Sequence, residues 1–171
     1  MMSDFSFKSA WQRLWVTGAI ALVILLGLGW LEMLPAQAVS YNRANLVNCD
    51  FSHQDLRDAE FDHANLRGCD FSGSDLRGVR FFSANLESAN FTGANLRATD
   101  FESARLTHAN FTDAVLEGAF GTNTKWGEAI ITGADFTDMI LRPDVESYLC
   151  GLATGVNPKT GRNTHDTLFC E

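Results

Sequence analysis

The sequence predicts an all-β square solenoid, on three observations. Nearly every fifth residue from Tyr41 to Leu141 is Leu or Phe, a small residue stands two places earlier, and the two large types alternate. The frame runs Tyr41, Leu46, Phe51, Leu56, Phe61, Leu66, Phe71, Leu76 and on through Leu116, then loosens through Gly121, Trp126, Ile131, Phe136 and Leu141. The small places hold Ala44, Cys49, Ala59, Ala64, Cys69, Ser74, Ala84 and their successors, and the place before each large residue is usually Asn or Asp. Neither a helix of 3.6 residues per turn nor a strand of period two keeps every fifth residue on one side. A chain that turns a corner every five residues does, with the large residue and its small neighbour facing inward.

The alternation sets the size of the coil. At a period of 20, Phe51, Phe71, Phe91 and Phe111 form one column and Phe61, Phe81 and Phe101 a second. Leu46, Leu66, Leu86 and Leu106 form a third, and Leu56, Leu76, Leu96 and Leu116 the fourth. Four sides of five residues therefore close each coil. Residues 41–140 make about five coils and a tower roughly 24 Å tall at the usual strand spacing. Gly121 occupies a large-residue place with Phe120 beside it, which predicts a bulge or loop over Gly121 to Lys125. Phe82 follows Phe81 at an outward place and reads as an exposed apolar contact point.

Ala64-Asn65-Leu66-Arg67-Gly68, Ala84-Asn85-Leu86 and Ala94-Asn95-Leu96-Arg97-Ala98 match the motif A-(D/N)-L-x-x. On these stretches the chain resembles the pentapeptide-repeat family. The resemblance covers about 100 residues and implies a right-handed quadrilateral β-helix.

The segment before the repeat reads as an export signal. Lys8 and Arg13 precede an apolar run from Leu14 to Leu31, and Ala36-Gln37-Ala38 fits the small-x-small pattern of a cleavage site after Ala38. The alternative is an uncleaved anchor over 14–31, since about 20 apolar residues span a bilayer. Three regions follow: signal peptide 1–38, repeat 39–141 and C-terminal cap 142–171. The formal charge is −8 with a pI near 4.9. Removal of 1–38 takes away two bases (Lys8, Arg13) and two acids (Asp4, Glu32), leaving −8. An acidic surface repels nucleic acid, so none is expected as a partner. With only Val39 and Ser40 before the first rung, that end is expected to be covered by a partner or by a second copy, end to end.

After Leu141 the period stops. Pro143 to Ala153 reads as a short helix, Gly155, Pro158 and Gly161 break it, and Asn163 to Phe169 reads as another. Cys150 and Cys170 bracket this segment, and in an exported chain they are expected to pair, closing about 20 residues. Cys49 and Cys69 stand one above the other on adjacent coils, where parallel side chains meet bridge geometry poorly, and are expected to be buried free thiols. The order Leu149-Cys150, Asn157-Pro158, Thr160-Gly161, Leu168-x-Cys170 resembles the C-terminal cap of thylakoid-lumen pentapeptide-repeat proteins of cyanobacteria and chloroplasts. That resemblance implies the thylakoid lumen or the periplasm.

The chemistry-bearing residues argue against an enzyme. His53, His63, His108 and His165 have no ligand spacing, so neither a metal nor another cofactor is expected. The inward places are Leu, Phe, Ala or small, which leaves no internal concavity for convergent catalytic groups. Asp50 with Asp70, and Asp55 with Asp75, stack one coil apart but read as turn-bonding residues of the motif. Arg57, Arg77 and Arg97 form a ladder up one side: either local partners of Asp55 and Asp75, or a docking edge for an acidic partner. The expected function is a non-enzymatic interaction scaffold with an unidentified protein partner. Two alternatives accompany it. One is a DNA mimic of the kind the family uses to protect gyrase, which export opposes; the other is an accessory protein held to a membrane by 14–31.

Overall fold

The computed structural model describes residues 39–170; the signal-peptide and anchor readings of 1–38 lie outside them. Parallel bridges pair residues 20 apart without interruption, from Ser40 with Glu60 to Phe120 with Ile140. The repeat is thus a stack of square coils built of single bridges rather than long strands. In each side the N–H of the large residue donates to the coil that follows, as Leu66 to Asn85 O at 2.8 Å. The N–H of the Asn/Asp place donates to the coil before, as Asn65 to Ala44 O at 2.9 Å.

At nearly every corner the residue at the small place donates to the carbonyl of the large one three places earlier, as Ala84 to Phe81 at 2.9 Å. The second residue after the large one takes a positive φ at every corner from Arg43 to Asp138 except Asp58. That conformation disfavours side chains with a Cβ, yet Ser, His, Asn, Asp and Ala also occupy it here. Part of the compensation is the motif's Asn/Asp. Asp70 Oδ1 accepts from Ser72 N at 2.8 Å, Asn90 from Thr92 at 3.1 Å and Asn110 from Thr112 at 3.0 Å. These side chains fasten the turn locally. At Gly73 a Cβ would stand 2.5 Å from the His53 ring, so a side chain there would have to displace that ring.

The inward residues fill the tower. Phe61, Phe71, Phe81, Phe91, Phe101 and Phe111 are completely buried. Rings of one column stack at 5.0 to 5.4 Å, as Phe91 on Phe111 and Phe81 on Phe101, and meet the other column edge to face. Both arrangements suit aromatic quadrupoles.

The bulge expected over Gly121 to Lys125 is not there. Asn123 makes an ordinary positive-φ corner, and Gly121 N donates to Ile140 O at 2.8 Å, in register. The missing side chain is replaced from the next coil, for a Cβ on Gly121 would lie 2.7 Å from Met139 Cε and 2.8 Å from Leu141 Cδ2. Thr124 Oγ1 donates to Gly121 O and accepts from Trp126 Nε1, both at 2.6 Å, which braces the altered corner. Phe120 remains outside, about half exposed. Phe82 is half-buried rather than an open contact point, with its ring edge-on to His63 at 5.4 Å.

Two short helices follow the repeat: α1, Pro143–Cys150, and α2, Thr164–Thr167. Both are shorter than the sequence pattern suggests. Pro143 and two acids favour the start of α1, and it ends at Cys150, before Gly151. Asn163 begins α2 by accepting from His165 N at 3.0 Å. A disulfide joins Cys150 to Cys170, with Cα atoms 5.6 Å apart.

Candidate docking faces

A core packed to the axis leaves chemistry to the outward residues. The four sides are named here by their first inward residue. The Leu56 side carries the ladder of Arg57, Arg77 and Arg97. The register does align the three, but each guanidinium is already engaged. Arg57 donates to Asp55 Oδ1 at 2.8 Å and Oδ2 at 2.6 Å, and also approaches Asp75 at 3.7 Å. Arg77 makes the same two-pronged contact with Asp75. Arg97 reaches Glu117 at 3.2 Å and Asn95 at 3.0 Å. Hydrogen bonds from Arg57 hold the Asp55 carboxyl down to about 2, and those from Arg77 lower Asp75. The ladder is therefore neutralised from within.

Asp50 is lowered mainly by the Ser52 hydroxyl, and both it and Asp70 serve turns rather than one another. The histidines are dispersed. His53 lies over Gly73, His63 on Phe82, His108 against Glu128 at 3.4 Å, and His165 beside Asp166 at 3.9 Å. Among the described residues no three metal-ligating side chains converge.

Cys49 and Cys69 are free thiols, but of the two expected to be buried only Cys69 is, Cys49 being partly exposed; both point at one acceptor, the Leu46 carbonyl. Burial pushes both upward, Cys69 to about 12. Such thiols are poor nucleophiles, because the thiolate is the reactive form.

The last coil meets a densely bonded segment that sequence reasoning did not resolve. Donors that would serve a further coil are taken up instead by the C-terminal residues. Glu128 N donates to Tyr148 Oη at 3.0 Å, Gly133 N to Thr154 O at 2.7 Å and Phe136 N to Thr167 Oγ1 at 3.1 Å. The fully buried Asn157 amide donates to the carbonyls of Asp113, Ala114 and Gly133 at 3.2, 3.0 and 2.8 Å. Its oxygen accepts from Lys159 N and Thr160 N. Arg162 crosses to Asp135 at 3.2 Å and Glu117 at 3.4 Å. Burial opposes ionisation of Asp135, but hydrogen bonds from Thr137 and Thr160 and the Arg162 charge outweigh it and lower the group. In the sequence Asn157-Pro158 reads as a turn and as part of the cap resemblance, and neither reading discloses these bonds.

The Leu46 side differs again. Its outward column runs Asn45, Asn65, Asn85, Arg105, Lys125, and the latter three are bridged in sequence from coil to coil. Arg105 and Lys125 are exposed and form no ion pair among the described residues. They border an open recess of about 360 Å³ together with Ser83 and Ser103.

Comparison with known proteins accords with this geometry. The pentapeptide repeat region profile matches residues 39–120. Over 48 residues the chain is 56% identical to thylakoid lumenal 15 kDa protein 1, chloroplastic, of Arabidopsis thaliana. That match takes in 28% of the chain and only 21% of the relative's length. A solved pentapeptide repeat protein from the Arabidopsis thaliana thylakoid lumen is 46% identical, with a TM-score of 0.72 over 74% of this chain and 88% of that one. A pentapeptide repeat protein of Nostoc Pcc 7120 is 27% identical, with a TM-score of 0.51 over 66% of this chain and 85% of that one. With its bridges spaced by 20, its inward Leu and Phe columns and these relatives, the chain belongs to the pentapeptide-repeat family.

Proposed function

We propose that this chain is a non-enzymatic interaction scaffold of the thylakoid lumen or periplasm. In this reading it is a rod of about five coils, closed at one end by a disulfide-bonded cap that includes two short helices. The observation that carries the reading is the packing. Every inward place from Phe61 to Leu116 is filled by a buried side chain, so a ligand must meet a flat side or an end. Flat, rigid sides suit protein docking better than catalysis, which needs groups converging around a reacting atom. The lumenal relatives support the address.

The test is in-cell crosslinking of the chain followed by identification of what is captured. A small, reproducible set of soluble lumenal or periplasmic proteins is the expected result; recovery of the chain only in a cytoplasmic fraction sinks the reading. Intact mass of the purified protein tests cleavage after Ala38 and separates a released scaffold from one held by 14–31.

A further inference from the structure

We infer that the Leu46 side is the docking face and that it takes an acidic polypeptide segment; the inference deepens the scaffold reading and rests on it. The protein is acidic overall, and most of its guanidinium groups already have a carboxylate. Arg57, Arg77, Arg80, Arg97, Arg142 and Arg162 are all in ion pairs. Lys159 donates to the Gly93 carbonyl. Among the described residues Arg43, Arg67, Arg105 and Lys125 are left, exposed and without an acidic partner.

These four cations are scattered through the sequence, but the register collects them. Arg105 and Lys125 occupy the outward column of the Leu46 side, Arg67 follows Leu66 on that side, and Arg43 stands at the corner leading into it. The acids there are Glu87 and Glu128, and Glu128 already faces His108. Arg105 bridges directly to Lys125, which sets the backbones of two cationic residues about 5 Å apart in one outward column. Such stacking is unfavourable unless an anion lies against it. The recess bounded by Ser83, Ser103, Arg105 and Lys125 offers hydroxyl donors at the same spot.

The extent of the patch selects the kind of anion. From Arg43 to Lys125 is four coil rises, about 19 Å, the reach of roughly six extended residues. Asn45, Asn65 and Asn85 continue that line; Asn65 donates to Asn45 and Asn85 accepts from Glu87 N, which leaves amide protons of Asn45 and Asn85 to meet a polypeptide backbone. A long polyanion such as a duplex, or a broad anionic membrane, would overrun this strip onto sides carrying Asp50, Asp70, Glu60 and Asp100, and be repelled there.

The test uses the full chain and fluorescein-labelled hexaglutamate, read by anisotropy at low ionic strength. Binding is expected, weakening with added salt, and R105Q/K125Q is expected to lose about tenfold in affinity. R57Q/R77Q, on the neutralised ladder, is expected to leave it unchanged. Circular dichroism checks that both variants are folded. The inference is overturned if the native chain does not bind hexaglutamate, or if the two double variants lose affinity equally. Tighter binding of a short DNA duplex, or of vesicles of equal phosphatidylglycerol and phosphatidylcholine, through Arg105 and Lys125 would overturn the choice of polypeptide. In-cell crosslinking separates this failure from that of the scaffold reading. Partners kept by R105Q/K125Q move the docking face elsewhere and leave the scaffold intact.

Discussion

The two ends of the rod present opposite solutions to one problem. At the last coil, Tyr148, Thr154 and Thr167 accept from backbone donors that another coil would have met, Asn157 donates to carbonyls of the last two coils, and Leu149 and Leu168 are buried in the core. At the first coil, Tyr41, Leu46 and Cys49 are only partly buried, and Val39 is more than half exposed. A solenoid is stabilised by neighbour contacts, so an end lacking them frays first. Among the described residues the contrast makes the C-terminal end the anchor and the first coil the weak point.

The strongest way to break that contrast is at Asn157. Its amide donates to three carbonyls at a completely buried site, and its oxygen orients the following turn. Asn157→Ala removes donors from buried acceptors and is expected to cost about 3–4 kcal/mol, read as a fall in the urea midpoint. Asn42→Ala at the first coil is the control. Asn42 also bonds across coils, to Glu60 and Asp62, but it is exposed, so about 0.5 kcal/mol is expected. Equal losses would mean that the two ends are anchored alike.

Reduction of the Cys150–Cys170 bond comes next. Closing its 20-residue separation contributes about 3 kcal/mol in the chain-entropy account. Cys150→Ser/Cys170→Ser should lower the unfolding midpoint accordingly, with faster hydrogen exchange at Gly133 and Phe136, whose donors the C-terminal segment accepts. Unchanged exchange there would show that the noncovalent contacts suffice.

The free thiols sharpen the comparison at the other end. Cys49 and Cys69 share the Leu46 carbonyl, but Cys69 is completely buried one coil further in. Iodoacetamide at pH 8 is expected to label Cys49 slowly, by fraying of the first coil, and Cys69 only on unfolding. Equal labelling of both would place the first two coils in one opening unit. Burial raises the Cys69 thiol from 9.0 to about 12. The native state therefore keeps a proton that the unfolded chain releases above pH 9. The stability associated with this group is present below that pH and falls as pH rises towards 12. Cys69→Ala should flatten that alkaline limb of a urea series.

Legibility in the sequence followed locality. The inward frame could be read because one five-residue corner repeats, and the Leu/Phe alternation disclosed the 20-residue coil. Gly121 misled because its vacancy is filled by Met139 and Leu141 from the next coil, while the corner itself is set by backbone. Asn157 stands out only within the cap pattern, and its role is hidden because its acceptors lie 24 to 44 residues away. The charges divide in the same manner. Arg57, Arg77 and Arg97 share one column and are conspicuous at a period of 20, whereas Arg43, Arg67, Arg105 and Lys125 occupy three columns and come together only when the coil is closed.

The neutralised ladder supplies the smallest expected effect. Hydrogen bonds from Arg57 bring Asp55 from 3.8 to about 2 in the folded chain. A lowered carboxyl stabilises the fold above its unfolded value, and that contribution is lost as pH falls from 3.8 towards 2. Both groups are exposed, so solvent and salt screen the pair and the loss should be slight. Asp55→Asn is expected to leave the neutral-pH midpoint nearly unchanged while removing a small part of the acid limb. Added salt should erase the difference. A large neutral-pH loss would mean that the ladder holds adjacent coils together, since Arg57 also reaches Asp75 across the coil spacing at 3.7 Å, and the Leu56 side would then be structural in its own right.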